Sequence, residues 1–258
     1  MAVSVDTVYK TVLYILNKEQ RGYITPDEFN KLGTQVQLEI FESYFEDLNQ
    51  QLRVGGNSSE YADRVKKLRE KIDRFFTSEA LTVTQGAGEY WASANLATLA
   101  SGNAVHRLGT IDYVEHRDAA VAVTELPVEL EEVTPHEFNL VRRSKLTAPT
   151  SSWPIFHITG TYVKILPANV TSAAIPSKSY NINYIKKPSD PVWGYTVNTT
   201  TGAFIYAAGS STDFEIDDTD QTDIILKILQ YCGVIIRDPQ IIQTATQLAQ
   251  MDEVNEKS

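Results

Sequence analysis

Apolar residues recur at three- and four-residue spacing through the first third of the chain, the mark of helices that each bury one stripe. Val5, Val8, Tyr9, Val12 and Leu16 form the first stripe. Gly22 interrupts it, and a second helix is predicted from Thr25-Pro26-Asp27-Glu28. There Thr25 caps, Pro26 takes the first helical position and Glu28 completes a capping box. Phe29, Leu32, Val36, Ile40, Tyr44, Leu48 and Leu52 continue this helix as one long stripe, and the composition of 54–59 predicts a turn. A third helix carries Tyr61, Val65, Leu68, Ile72 and Phe75 inward and a Lys- and Arg-rich face outward. Three helices joined by short loops predict an antiparallel bundle.

After Thr77 the pattern changes to short β-branched or aromatic runs between Gly, Pro, Ser and Thr turn signals. Strands are predicted at 111–115 and 119–125, a short helix at 134–145, and a hairpin from 156–158 and 161–166 around Thr159-Gly160. Tyr180, Ile182 and Tyr184 alternate with Asn181 and Asn183, as in a strand wetted on one face. A weaker strand signal lies at 204–208. Helix returns at Asp218-Thr219-Asp220, followed by Ile224, Ile225, Ile228, Leu229 and Val234. Asp238-Pro239 predicts the start of a last helix, glutamine-rich on one side and apolar on the other. The expectation is an α+β fold: N- and C-terminal helices forming an antiparallel helical bundle, with an inserted, mainly antiparallel β-sheet domain. Its expected boundaries are 1–78 for the first helices, 79–216 for the insert, 217–250 for the closing helices and 251–258 for a polar tail.

With 258 residues, 42% of them hydrophobic and 22% charged, the chain has the composition of a folded globular protein. Lys plus Arg number 23 against 33 Asp plus Glu, a formal net charge of −10, the wrong sign for a surface that grips phosphate backbones overall. The single cysteine, Cys232, excludes an intrachain disulfide. The most apolar stretch, 224–236, is broken by Lys227 and Gln230, so no membrane span is expected. Residues 1–6 lack the basic lead-in and apolar core of a signal peptide, so the chain is expected to be made and kept in a cytoplasm.

Motifs of chemistry are weak throughout. Residues 17–28 align with a calcium-binding loop at Gly22, Ile24 and Glu28, but Arg21 would aim a cation at the ion and Asn17 replaces the leading aspartate. The acidic run Asp213, Glu215, Asp217, Asp218, Asp220 and Asp223 lacks the ligand spacing of a calcium loop and suits a helix start, where carboxylates meet free N–H groups. A hydrolase built on that run stays open as an alternative class. His106, His116, His136 and His157 are scattered, and no phosphate loop, dinucleotide turn or nucleophile elbow occurs. Arg142, Arg143 and Lys145 form the one compact basic patch outside the third helix, a solvated face or a phosphate contact. No catalytic, cofactor or metal residue is expected, and no enzyme activity.

The residues that an isolated monomer explains poorly point to contacts instead. The candidate partner interface comprises Ile241, Ile242, Gln243, Gln247, Leu248 and Gln250 of the last helix, with Trp153 and Trp193 from the aromatic-rich β region. Aromatic residues suit both contact surfaces and β cores, so the two tryptophans fit either role.

Four stretches, in order, carry a resemblance: 21–30 after the opening helix, 156–167 with Gly160 and a terminal Leu-Pro, 180–188 leading to Pro191-Val192-Trp193, and 211–216 running into 226–245 with its Arg237-Asp238-Pro239. Together the chain resembles the head-to-tail connector or adaptor proteins of short-tailed bacteriophages, nearest to the neck ring proteins of crAss-like phages and more distantly the tail tubular adaptor of T7-like phages. The resemblance implies a virion protein, made in the bacterial host cytoplasm, that assembles with itself as a closed dodecameric ring beneath the portal protein. It would continue the DNA channel and carry further neck or tail proteins. Double-stranded DNA would pass through its lumen without sequence-specific binding, an acidic wall letting phosphates slide. A tail-fibre anchor or carbohydrate-binding module is the alternative, suggested by the tyrosines and tryptophans of the β region.

Overall fold

A computed structural model describes residues 2–18, 23–54, 59–86, 89–99, 104–115, 127–150, 152–168, 178–236, 247, 250 and 251. In chain order the elements are β1 (Ala2–Val3), α1 (Val5–Lys18), α2 (Pro26–Val54), α3 (Ser59–Asp73), β2 (Phe76–Leu81) and β3 (Ala92–Asn95). β4 (Val105–Glu115), β5 (Val128–Glu129), β6 (Glu131–Glu132) and α4 (Pro135–Arg143) follow. The chain continues through β7 (Ile155–Thr159), β8 (Tyr162–Leu166), β9 (Lys178–Lys186), β10 (Tyr195–Val197), β11 (Phe204–Tyr206), β12 (Phe214–Asp217) and α5 (Gln221–Ile236). The fold is mixed α+β, and among the described residues strand pairing is antiparallel except for the short parallel contact of β6 with β7.

The chain divides into two compact units, one of residues 1–74 with 188–258 and one of residues 75–187. In the first, α2 packs on α3 and α5, and α1 packs on α5. The predicted stripes explain why: Val5, Val8, Val12 and Leu16 of α1, Phe29, Val36 and Ile40 of α2, and Ile224 and Ile228 of α5 are all buried. Burying each such side chain contributes about 1.5–3 kcal/mol. β12 lays Phe214 and Ile216 into the same core and pairs with β1.

The expected insert ended at 216, but residues 188–216 belong to the first unit. Specific ties hold them there. The Gln37 side-chain amide donates to the Ser189 carbonyl (2.7 Å) and accepts from the Glu215 N–H (3.0 Å), and the Asn30 side chain accepts from the Trp193 N–H (2.7 Å). These are side-chain bonds across more than a hundred residues of sequence, which hydropathy patterning does not register.

The second unit holds two four-stranded sheets, ordered β2-β9-β4-β5 and β3-β8-β7-β6. Their shared core includes Ile111, Tyr113, Phe156, Val163, Ile165, Ile182 and Tyr184. The hairpin expected around Gly160 is β7–β8, with Gly160 at φ +61°, a conformation that favours glycine. The strand expected at 111–115 is the end of the longer β4, and that at 180–184 lies within β9. β4 shifts register twice against β9, and at Gly109 a Cβ would meet the Asn183 carbonyl oxygen at 2.8 Å. The strand expected at 119–125 lies outside the described residues, as does the helix expected from Asp238 except for Gln247, Gln250 and Met251, which are helical.

α4 is the short helix expected at 134–145. Thr134 accepts from the Glu137 N–H, and the Glu137 carboxylate accepts from the Thr134 N–H (3.0 Å) and hydroxyl (2.8 Å). Phe138 is its one buried residue, so most of its surface faces outward.

Candidate functional site

The acidic run is occupied by the fold. The Asp213 carboxylate accepts from the Val5 N–H (2.9 Å), capping α1, and Glu215 accepts from the Ser189 N–H and hydroxyl. Asp217 pairs with Arg74 and accepts from the Thr219 N–H. Asp220 is buried, accepting from the Tyr44 hydroxyl (2.5 Å) and from Lys71 Nζ (2.7 Å). These carboxylates lock the start of α5 to α1, α2 and α3. Among the described residues, no group of three His, Cys, Asp or Glu side chains is placed to hold a metal ion.

Burial would raise the Asp217 carboxyl, but hydrogen bonds from the Thr219 N–H and hydroxyl, with the Arg74 charge, more than offset it and hold it at about 2. The folded value lies below the ordinary 3.8, so this carboxylate stabilises the fold above that pH and the contribution is lost as pH falls through 2. Urea titrations between pH 5 and 2 are expected to show a smaller stability loss for Asp217→Asn than for the wild type; identical slopes would contradict the assignment.

In the calcium-loop-like stretch, residues 19–22 lie outside the described residues. Glu28 serves the helix cap: its carboxylate accepts from the Thr25 N–H (2.9 Å) and hydroxyl (2.7 Å), and those bonds lower its pKa.

The eight candidate interface residues separate. Ile241, Ile242, Gln243 and Leu248 lie outside the described residues, while Gln247 and Gln250 are helical and exposed. Trp193 is 4% exposed and is a core residue, correcting its assignment to a contact surface. Its ring packs, tilted, against Tyr9 at 4.3 Å and Tyr206 at 5.6 Å, and its indole N–H donates to Asp6 (3.1 Å). Trp153, at 78% exposure, does present its ring to solvent.

Beyond Trp193 the chain emerges as the β10–β11 hairpin. Tyr195 pairs with Tyr206 and Val197 with Phe204, which puts all four on one face, with Ile205 on the other. Tyr195, Val197, Phe204 and Ile205 are exposed. No residue between Asp190 and Asp213 is charged, in a chain where 22% of residues are. A two-stranded ribbon is marginally stable alone, and free strand edges usually carry charges that discourage pairing. The gap in charge was readable in the sequence; the exposure of the strands was not.

The second unit presents two unlike surfaces on the flanks of α4. On one flank, Arg142 Cζ lies 5.3 Å from the centre of the Tyr90 ring and 5.9 Å from that of Trp91, with Lys164 Nζ 4.9 Å from Trp91. On the other, Glu137 and Val141 help line a groove of about 620 Å³ that also holds Glu131, Glu132, Leu146 and Trp153. No family model matches this chain, and no curated protein matches it.

Proposed function

We propose that this chain is a virion structural protein that forms a closed connector ring beneath the portal of a short-tailed bacteriophage, continuing the DNA channel and carrying the next neck or tail proteins. The observation that supports an assembly role is the charge-free β10–β11 hairpin, which offers Tyr195, Val197, Phe204 and Ile205 to solvent. Apolar strands with bare edges belong against another chain. The family resemblance of the four ordered stretches supplies the place of that assembly. In this reading α1, α2, α3 and α5 work as one antiparallel bundle, while the carboxylates of 213–220 brace it rather than react. The net charge of −10 suits a wall along which DNA slides.

Native mass spectrometry of the full chain, alone and mixed with portal rings of the same phage, tests the proposal. A closed oligomer of one stoichiometry, twelve copies by resemblance, is expected in at least the second mixture. A monomer in both would overturn it.

A second reading has its own observation: the exposed Trp153 ring stands in a groove with Glu131 and Glu132, the pairing of aromatic face and carboxylates that suits a sugar. This favours the carbohydrate-binding module. A glycan array separates the two, because a connector shows no sugar selectivity.

A further inference from the structure

The two flanks of α4 carry opposite charges that the described residues leave uncompensated. Among the described residues, no carboxylate pairs with Arg142, Arg143, Lys145 or Lys164, and no cation pairs with Glu131 or Glu132. We propose that the second unit docks onto a second copy of this chain, the cation cluster around Arg142 and Lys164 of one copy seating in the Glu131–Glu132 groove of the next. This rests on the ring reading above and names the subunit contact within it.

The cation cluster is built to stay extended. Tyr90 and Trp91 support the Arg142 guanidinium, and Trp91 also supports Lys164. A ring face holds a cation without neutralising it, so the N–H donors remain available to an anion. Arms held in place this way lose less freedom on binding. Arg143 and Lys145, both exposed, extend the positive surface past the end of α4.

The groove supplies the complement. Glu137 adds a third carboxylate, kept ionised because bonds from the Thr134 N–H and hydroxyl lower its pKa. Leu146 is 94% exposed and borders the same groove as Trp153, giving an apolar anchor inside an acidic rim. A desolvated apolar centre with a charged rim is the anatomy of a specific protein contact.

A duplex would account for the cations, against a net charge of −10, and leave the groove empty. A basic peptide would account for the groove and leave the cations bare. A second copy satisfies both at once. Because the surfaces are unlike, two different neighbours can take the two flanks of one copy, and in the ring reading the contact runs head to tail, the kind that repeats until a ring closes. Charge complementarity would set its register and exclude the reverse orientation.

Charge reversal tests this in the full chain. One variant carries Arg142→Glu with Lys164→Glu, a second carries Glu131→Lys with Glu132→Lys, and a third carries all four. Sedimentation, with portal rings where the wild type needs them, reads assembly; circular dichroism reads folding. Each double variant is expected to stay folded and weaken self-association by about tenfold or more. Mixing the two double variants, or combining all four substitutions, is expected to restore it. Assembly unchanged by the reversals would overturn the contact while leaving the ring reading intact, as would failure of the exchange to restore it. A labelled short duplex released by the Arg142→Glu, Lys164→Glu variant with assembly unaffected would assign the cations to DNA and also overturn it. A wild-type chain that is monomeric with and without portal rings would remove the ring reading, and the contact with it.

Discussion

Asp220→Ala is expected to destabilise the first unit by about 3–5 kcal/mol, the cost of breaking a buried charge pair by removing one partner. Asp220 is 5% exposed and accepts from the Tyr44 hydroxyl and Lys71 Nζ, while Lys71 also lies over the Tyr44 ring at 5.2 Å. Burial first, and then the Asp220 charge and hydrogen bond, push the Tyr44 phenol well above its ordinary range. Deleting the carboxylate leaves a phenol donor and a largely buried ammonium without their anion. Asp220→Asn keeps the volume and an acceptor for Tyr44 but not the charge opposite Lys71, so it should fall between wild type and alanine. Replacing Asp220, Tyr44 and Lys71 together by apolar residues of similar size is expected to recover most of the loss, because no partner is then stranded. Urea denaturation gives all of these values. A loss below about 1 kcal/mol for Asp220→Ala would show that the pair is surface-like in energy.

Trp193→Ala is expected to cost a similar amount, about 3–5 kcal/mol, for a different reason. The indole fills the space between α1 and the base of the β10–β11 hairpin, touching Tyr9, Tyr195 and Tyr206 and binding Asp6. Truncation opens a cavity and removes the donor that Asp6 accepts from. Trp193→Phe should recover the packing and not the hydrogen bond, placing it within about 1–2 kcal/mol of the wild type. The pair of variants distinguishes core from contact surface. A contact-surface tryptophan would lower assembly and leave the urea midpoint of the isolated chain unchanged.

What the sequence made legible follows from the range of the forces involved. α1, α2, α3 and α5 could be read because their stripes repeat locally, and the start of α2 because Thr25-Pro26 with Glu28 is a local hydrogen-bond motif; Thr134 and Glu137 form the same motif at the start of α4. The β7–β8 hairpin could be read because Gly160 sits at its turn. β2 escaped notice because Phe76–Leu81 mixes Thr, Ser and Glu with apolar residues and depends on β9, a partner a hundred residues away. Trp193 was ambiguous for the same reason: an indole reads alike in a core and in an interface, and Tyr9, Asp6 and Asn30 decide between them only once the chain folds back. The acidic run of 213–220 looked like a helix start open to solvent. Its partners Val5, Tyr44, Lys71, Arg74 and Ser189 come from distant stretches, and they make it a brace. The two flanks of α4 show the same limit. Arg142, Arg143 and Lys145 were visible as a basic patch, but the rings beneath Arg142 come from residues 90 and 91 and a second lysine from residue 164.

In the proposed ring this molecule acts through neighbour contacts at the portal vertex. Cryo-electron microscopy of the intact particle, reconstructed at the vertex where DNA leaves, tests it most directly. The expected density is the α+β fold described above, repeated as a closed ring around the channel and in contact with the portal. Finding the chain at a fibre, elsewhere in the capsid or outside the particle would contradict it.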